Sequence, residues 1–315
     1  MTITKNSLDE KPTKIRLSVE KCAGHADHWR ILTENTAEDV PNWLQQMIEN
    51  AVIPTGLQTK DNQQDDYLLI AENDDAHINQ VLSIKDGKPQ QLLTAFPAVN
   101  SPYGSKCTIE RVVICEETTD AVLRLRSKDG TILYAYDQLY TVNNNIYEQN
   151  VSYFVNFSAW AYNITASNQD EIILVEDQQA IRYHRAFNDI VAANNGEVPK
   201  NIQEQIQNWQ ADTNEPLAPV EINLGNMCAY LFGDTLGQED EAWCQGQVLG
   251  KQNSTFYGKD IILFDVVILR EPDADPLVVR IAAVSNEQNQ TIKVQDYIQA
   301  NIWLQAAIYA QTQSV

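Results

Sequence analysis

Between Val151 and Tyr162 apolar residues recur at every second position (Tyr153, Val155, Phe157, Ala159 and Ala161), and the opposite face carries Phe154, Trp160 and Tyr162. Period-two alternation describes a β-strand. A strand that is apolar on both faces must be central in its domain or covered by another segment, so a chain built around it is committed to layered β structure. The residues before it supply partners. Residues 108–115 read as a strand, and residues 121–126 as another with Ala121, Leu123 and Leu125 on one face. Ser127-Lys128-Asp129-Gly130 makes a turn, and residues 131–136 return as the second arm of a hairpin.

A second run follows the same order. Residues 221–232 lead in, and an acidic loop at 234–241 precedes a strand from Trp243. Residues 261–269 and 277–284 form a long hairpin around an acidic, Pro-bounded loop, and residues 297–309 close the run with aromatics. The expectation is a mainly β protein with a few helices (α+β): two small OB-like Greek-key barrel units, each antiparallel and superposable on the other, joined by a helical segment. The boundaries read as 1–60 for an N-terminal arm and helix, 61–175 for the first module, 176–218 for a helical connector and linker, and 219–315 for the second module.

The helices are read from 3.6-residue spacing. Asp39 caps a helix with Pro41 in its first turn and Trp43, Leu44, Met47, Ile48 and Ala51 on one face, until Pro54-Thr55-Gly56 stops it. In the connector, Ile181, His184, Phe187 and Val191 share a face before Asn194-Asn195-Gly196, and Pro199 opens a second helix with Ile202, Ile206 and Trp209 on its apolar side. His184 reads as a packed or rim residue, because a catalytic base needs a positioned partner.

Charge narrows the function classes. The chain has 43 acidic and 22 basic residues, a net charge of -21 at neutral pH, so its field repels phosphate backbones and anionic lipid and attracts cations. No apolar run approaches the roughly 18 residues needed to span a bilayer, and the five cysteines have no C-x-x-C spacing, which together place the protein in the cytoplasm. Cys22, His25 and His28 within seven positions invite a metal. A closed site would need further ligands, and only His77 and His184 remain as histidines, so neither metal nor cofactor is expected. A Gly-rich phosphate loop, a G-x-S-x-G elbow and an H-E-x-x-H helix are all missing, so the chain does not read as an enzyme. The one carboxylate with catalytic colour is Asp137, whose aromatic neighbours Tyr136 and Tyr140 would raise its pKa on burial. A buried Asp in such a turn more commonly accepts backbone N–H bonds.

The segment from Gln295 to Ala306, with Asp296, Trp303, Leu304 and Gln305, resembles the closing G-D-x-[VI]-x-G-x-x-W-L-Q-G pattern of an uncharacterised bacterial protein family. Ala135-Tyr136-Asp137 with Tyr140, and Phe157-Ser158-Ala159-Trp160-Ala161-Tyr162, are similar to that family's other segments. Three glycines of the closing pattern are Gln295, Ala300 and Ala306 here. The resemblance implies a cytosolic β-protein with two OB-like units and carries no catalytic residues. Separately, Phe157, Ala159, Ile302 and Trp303 are expected to include core residues.

Acidity without catalytic motifs reads as an interaction protein: an inhibitor, an immunity protein or an anti-defence protein that covers a basic protein surface. Its contact face is expected at Asp234, Glu239, Asp240 and Glu241 beside Trp243. The alternative is an OB-type protein that binds single-stranded nucleic acid through Arg111, Arg124, Arg126 and Lys128, interleaved with Tyr134 and Tyr136. Oligomeric state is not readable from the sequence.

Overall fold

The structure is a computed structural model that describes residues 28–54, 66–71, 75–86, 88–115, 120–144, 146–148, 150–168, 172–195, 198–210, 217–223, 225, 227–232, 239–270 and 275–309. A 3₁₀ turn at Trp29–Ile31 precedes helix α1 (Thr36–Ile48). The strands β1 (Ala51–Val52), β2 (Asp66–Ala71), β3 (Ala76–Lys85), β4 (Lys88–Val99), β5 (Gly104–Cys115), β6 (Asp120–Ser127) and β7 (Ile132–Asp137) follow, then helix α2 (Tyr140–Asn143) and β8 (Ser152–Ala166). Next are β9 (Ile172–Val175), α3 (Gln178–Ala193), α4 (Ile202–Asn208), β10 (Val220–Asn223), β11 (Ala229–Phe232), β12 (Glu241–Phe256), β13 (Lys259–Leu269), β14 (Leu277–Val284), α5 (Glu287–Gln290) and β15 (Tyr297–Ala307).

The chain divides into two compact units, one of residues 1–166, 228–269 and 276–315 and one of residues 167–227 and 270–275. The smaller unit pairs β9 with β10 antiparallel and carries α3 and α4. Asp177 caps α3 by accepting from Ala180 N at 2.8 Å, and Asn195 turns the chain out of it in the left-handed region.

In the larger unit a nine-stranded sheet runs β11-β12-β13-β14-β8-β15-β7-β6-β5, with further pairings β12–β15 and β5–β8. This corrects the expectation of two discrete OB-like barrels, and with it the description of the protein as a β-barrel. Strands of both sequence modules belong to one mixed sheet, in which β14–β8 and β15–β7 are parallel and β15–β8 is antiparallel. Both parallel pairings join one module to the other; within each module the pairings are antiparallel, β5–β6, β6–β7 and β5–β8 in the first and β12–β13, β13–β14 and β12–β15 in the second. The cause lies in strand length and in the doubly apolar β8. At fifteen residues, β8 pairs with β5 through 152–156, with β15 through 156–166 and with β14 through 158–160. Similarly, β12 uses 241–247 on β15 and 247–256 on β13.

Both faces of the sheet are packed. On one, Val155, Phe157, Ala159, Ile302, Leu304 and Ala306 share a core with Leu123, Leu125, Phe264 and Ile281. On the other, Trp160, Trp303 and Tyr136 meet Trp29, Trp43 and Met47, together with Ile78 and Phe96 from a second sheet. Burying each such side chain contributes about 1.5–3 kcal/mol, so two apolar faces are what hold β8 and β15 at the centre. Phe157, Ala159, Ile302 and Trp303 are all fully buried, as read from the sequence.

The second sheet, β1-β2-β3-β4, is antiparallel. Its β3–β4 hairpin was not legible: β4 contains Pro89 and Pro97, which argue against a strand interior. Because β4 is the edge strand, the missing N–H of a proline costs no ladder bond there. Helix α1 begins at Thr36, earlier than the Asp39 cap expected, and contains Pro41. Asp39 instead accepts from the Thr33 hydroxyl.

Candidate functional site

The start of β12 gathers several of the residues singled out above. Glu241 lies opposite Trp303 in the β12–β15 register. Asp240, just before it, accepts from Trp303 Nε1 at 2.7 Å through its side chain and from Leu304 N at 2.9 Å through its carbonyl. On β8, Ala161 and Asn163 pair with Ile302 and Asn301, so Tyr162 is the extra residue of a β-bulge. Bulges re-aim side chains. Here the Tyr162 hydroxyl donates to Glu241 Oε1 at 2.5 Å and lies 2.5 Å from His28 Nδ1. A phenol has one hydrogen, so donation to Glu241 leaves its oxygen to accept from His28 Nδ1–H, which sets the imidazole tautomer.

His28 is 4% exposed and its ring stacks on Trp303, centroids 4.0 Å apart and planes within 16°. Its backbone sits at φ 56, a conformation uncommon for a non-glycine residue and paid for here by the contacts of the ring. Burial, reinforced by Glu241, raises the Tyr162 pKa. The phenol therefore keeps its proton at neutral pH and is no base. The arrangement fixes a carboxylate, a phenol, an imidazole and an indole in one geometry.

Of the five residues expected to present a solvated acidic face, Asp234 lies outside the described residues, Glu239 is exposed and Trp243 half-buried. Asp240 is 0% exposed and Glu241 9%. The side chains of these two turn inward to Trp303 and Tyr162, because the β12–β15 pairing carries them into the sheet. Cys22 and His25 lie outside the described residues, while His28 spends Nδ1 on Tyr162. No group of three or more His, Cys, Asp or Glu among the described residues is arranged to hold a metal.

The basic stripe proposed for nucleic acid is engaged within the chain. Arg124 and Arg126 both bind Glu110; Arg124 Nε also donates to Tyr134 at 2.9 Å, and Arg126 Nη1 to Gly130 O at 3.1 Å. Lys128 is exposed and Arg111 half-buried. Tyr136 is buried, with its hydroxyl on Asp120 Oδ1 at 2.6 Å, so it offers no stacking face. His184, half-buried on α3, lies 3.2 Å from Asn188 one turn on.

Asp137 has both environments considered for it. Its Oδ1 accepts from Leu139 N at 3.0 Å, its Oδ2 from the Tyr147 hydroxyl at 2.5 Å, and burial pushes its pKa up to about 7 against those two bonds. Tyr147 itself is raised, by burial and then by Asp137, so the pair shares hydrogens without offering a free base.

Sequence reasoning missed a buried amide network. Gln305 and Gln138 are both buried. Gln138 Nε2 lies within 3.2 Å of Gln305 Oε1, Ser158 Oγ and Val99 O. Gln305 Nε2 donates to Pro97 O at 2.8 Å while its Oε1 accepts from Val99 N at 3.2 Å. A side-chain amide carries the donor and acceptor of a peptide, so Gln305 takes the place of a strand along the edge of β4. The visible signal was Gln305 alone among apolar neighbours in Ile302-Trp303-Leu304-Gln305-Ala306-Ala307.

No protein-family model matches the chain, and no similar protein was found among curated sequences or solved structures.

Proposed function

We propose that this protein is an acidic interaction protein that covers a basic surface of a protein partner, in the manner of an inhibitor, an immunity protein or an anti-defence protein. One observation carries the reading: several of the described cations are engaged within the chain, and carboxylates outnumber cations 43 to 22 in the sequence as a whole. Arg124 and Arg126 share Glu110, Arg280 is forked onto Asp265, and Lys259 lies 3.8 Å from Asp39. Lys251 Nζ donates to Gln290 O and Ile292 O, each at 2.7 Å. A net charge of -21 then steers cationic partners and is screened by salt.

The contact surface consistent with this reading lies at β11, the end strand of the nine-stranded order. Leu231 is 59% exposed, sits opposite the half-buried Trp243 in the β11–β12 register, and is followed in the chain by exposed Glu239. An apolar centre with an acidic rim is the usual anatomy of an interface. Nucleic-acid binding has less behind it, because Arg124 and Arg126 are already paired and Tyr136 is buried.

The test is affinity capture with the whole protein at low and high salt, alongside a Leu231→Ala, Glu239→Gln variant. A single basic protein, recovered at stoichiometric amounts with wild type, lost at high salt and reduced with the variant, is the expected result. Recovery of nucleic acid, or of the same protein equally with the variant, overturns the reading.

A further inference from the structure

The register of the large sheet contains a row of residues that crosses six strands: Gly250 faces Asp265, Asp265 faces Arg280, Arg280 faces Ser158, Ser158 faces Gln305 and Gln305 faces Tyr136. Every residue of the row except the glycine is polar, and it runs along the face that otherwise buries Trp160 and Trp303. Placing polar groups there costs stability unless each is hydrogen-bonded. Gln305 and Tyr136 are accounted for by the β4 edge and by Asp120. The middle of the row, Arg280 and Ser158, instead lines a cavity of about 310 Å³ together with Val99, Asn156, Ala307 and Tyr309. That volume falls at the lower end of small-molecule pockets, about 300–1,000 Å³.

The groups on its wall are held in place from behind. Asp265 Oδ1 and Oδ2 accept from Arg280 Nε at 2.8 Å and Nη2 at 3.2 Å, a two-pronged pairing that fixes the guanidinium plane. Tyr103 donates its hydroxyl to Asp265 Oδ2 at 3.0 Å, and the guanidinium carbon lies 5.9 Å from the centre of its ring. Room for the carboxylate depends on Gly250: a Cβ there would stand 2.8 Å from Asp265 Oδ2. This pairing uses Nε and one hydrogen of Nη2, and leaves the two hydrogens of Nη1 and the second of Nη2.

Two more polar groups complete the wall. Ser158, 2% exposed, accepts from Gln138 Nε2 at 3.0 Å, which leaves its own hydrogen to donate. Asn156 gives Nδ2 to Ser101 O at 2.9 Å, leaving Oδ1 as an acceptor. Arg280, Ser158 and Asn156 thus offer the cavity N–H and O–H donors and one amide acceptor; Asn100 and Ser101 also line it, and Val99, Pro102, Ala307 and the exposed ring of Tyr309 form its apolar wall.

Charge decides what fits. Asp265 cancels the guanidinium charge, Asp75 adds to the negative side of the balance at Arg280, and the whole chain is at -21. An anion gains little from a cation already paired, and a cation meets N–H groups pointed at it. We infer that the cavity between β8 and β14 binds a small neutral molecule bearing an amide, whose carbonyl accepts from Arg280 Nη1 and Ser158 Oγ and whose N–H donates to Asn156 Oδ1.

Three probes with one body and three charges test this: benzamide, benzoate and benzylammonium, each titrated into the isotopically labelled full chain and followed by the NMR signals of the Arg280 and Asn156 side chains. Benzamide should give saturable shifts at these residues with an affinity about tenfold or more above the other two, the equivalent of about 1.4 kcal/mol. Ser158→Ala and Asn156→Leu should each weaken benzamide several-fold while leaving the far-ultraviolet circular dichroism of the protein unchanged. The paired replacement Asp265→Asn with Arg280→Gln, which leaves no lone buried charge, should weaken it further. Equal or tighter binding of benzoate, no saturable shift with benzamide, or benzamide binding that ignores both Ser158→Ala and Asn156→Leu overturns the inference.

Discussion

Replacing Trp303 separates the two ways in which this residue stabilises the sheet. The indole is fully buried on the face shared with Trp160 and Tyr136, its ring stacks on His28 at 4.0 Å, and its Nε1 donates to Asp240 at 2.7 Å. Trp303→Ala removes all three and opens a cavity, for an expected loss of about 3–5 kcal/mol. Trp303→Phe keeps an aromatic ring for His28 and most of the volume but deletes the N–H to a buried carboxylate. A hydrogen bond to a charged group contributes about 1.5–3 kcal/mol, so this variant should lose roughly half as much as the alanine. Asp240→Asn on its own and combined with Trp303→Phe completes a double-mutant cycle, and a coupling of about 1–2 kcal/mol is expected for residues in contact. The assay is urea denaturation followed by far-ultraviolet circular dichroism, since fluorescence would change with the tryptophan. An alanine variant with an unchanged midpoint refutes the central packing of Trp303. A phenylalanine variant as costly as alanine refutes the division between packing and hydrogen bond.

Asp137 should make stability fall as pH rises. Its folded pKa of about 7 exceeds the unfolded value of 3.8, so the folded state binds the extra proton between those values; the penalty is absent below about pH 4 and complete above about pH 7, roughly 4 kcal/mol in all. Asp137→Asn should remove this slope, and stability–pH curves that stay parallel for the two proteins count against it. Gly246→Ala should destabilise by about 3 kcal/mol or more through overpacking, because its Cβ would stand 1.9 Å from Val267 O; a soluble variant with wild-type melting contradicts the tight β12–β13 contact. Cys107 and Cys244 are buried with thiols pushed up to about 12, mainly by burial, so both should resist iodoacetamide in the native protein while half-buried Cys228 reacts before either of them; early alkylation of Cys244 would show that its pocket opens.

Local chemistry was legible where it depends on neighbours in the chain. The hairpin around Gly130, whose φ of 95 only glycine adopts freely, and the double apolar face of β8 both follow from adjacent residues. What could not be read is which strands pair across long separations. Period two marks a face of β8 but does not say whether Trp160 meets a helix, a second sheet or solvent, nor that Ser158 will stand beside Arg280 and Gln305 from distant strands. The surroundings of the acidic run before Trp243 were hidden for the same reason. Asp240 and Glu241 look solvated in a list of charges, and only the β12–β15 register turns them toward Trp303 and Tyr162. The edge strand β4 was hidden by its prolines, which are read as breakers until a glutamine from β15 is seen to supply its hydrogen bonds.

The proposed contact surface at β11 and the inferred site at the cavity beside β8 and β14 both require that β8 and β15 join β5–β7 and β11–β14 into one sheet. Native-state hydrogen exchange across a denaturant series tests this directly, by comparing amides of Leu123 and Phe157 with those of Phe264 and Trp303. One sheet predicts that these amides share a single opening free energy and the same denaturant slope, as parts of one cooperative unit. If Leu123 and Phe157 instead exchange through one opening while Phe264 and Trp303 exchange through another of clearly different free energy, the two halves fold separately and the shared-sheet account is contradicted.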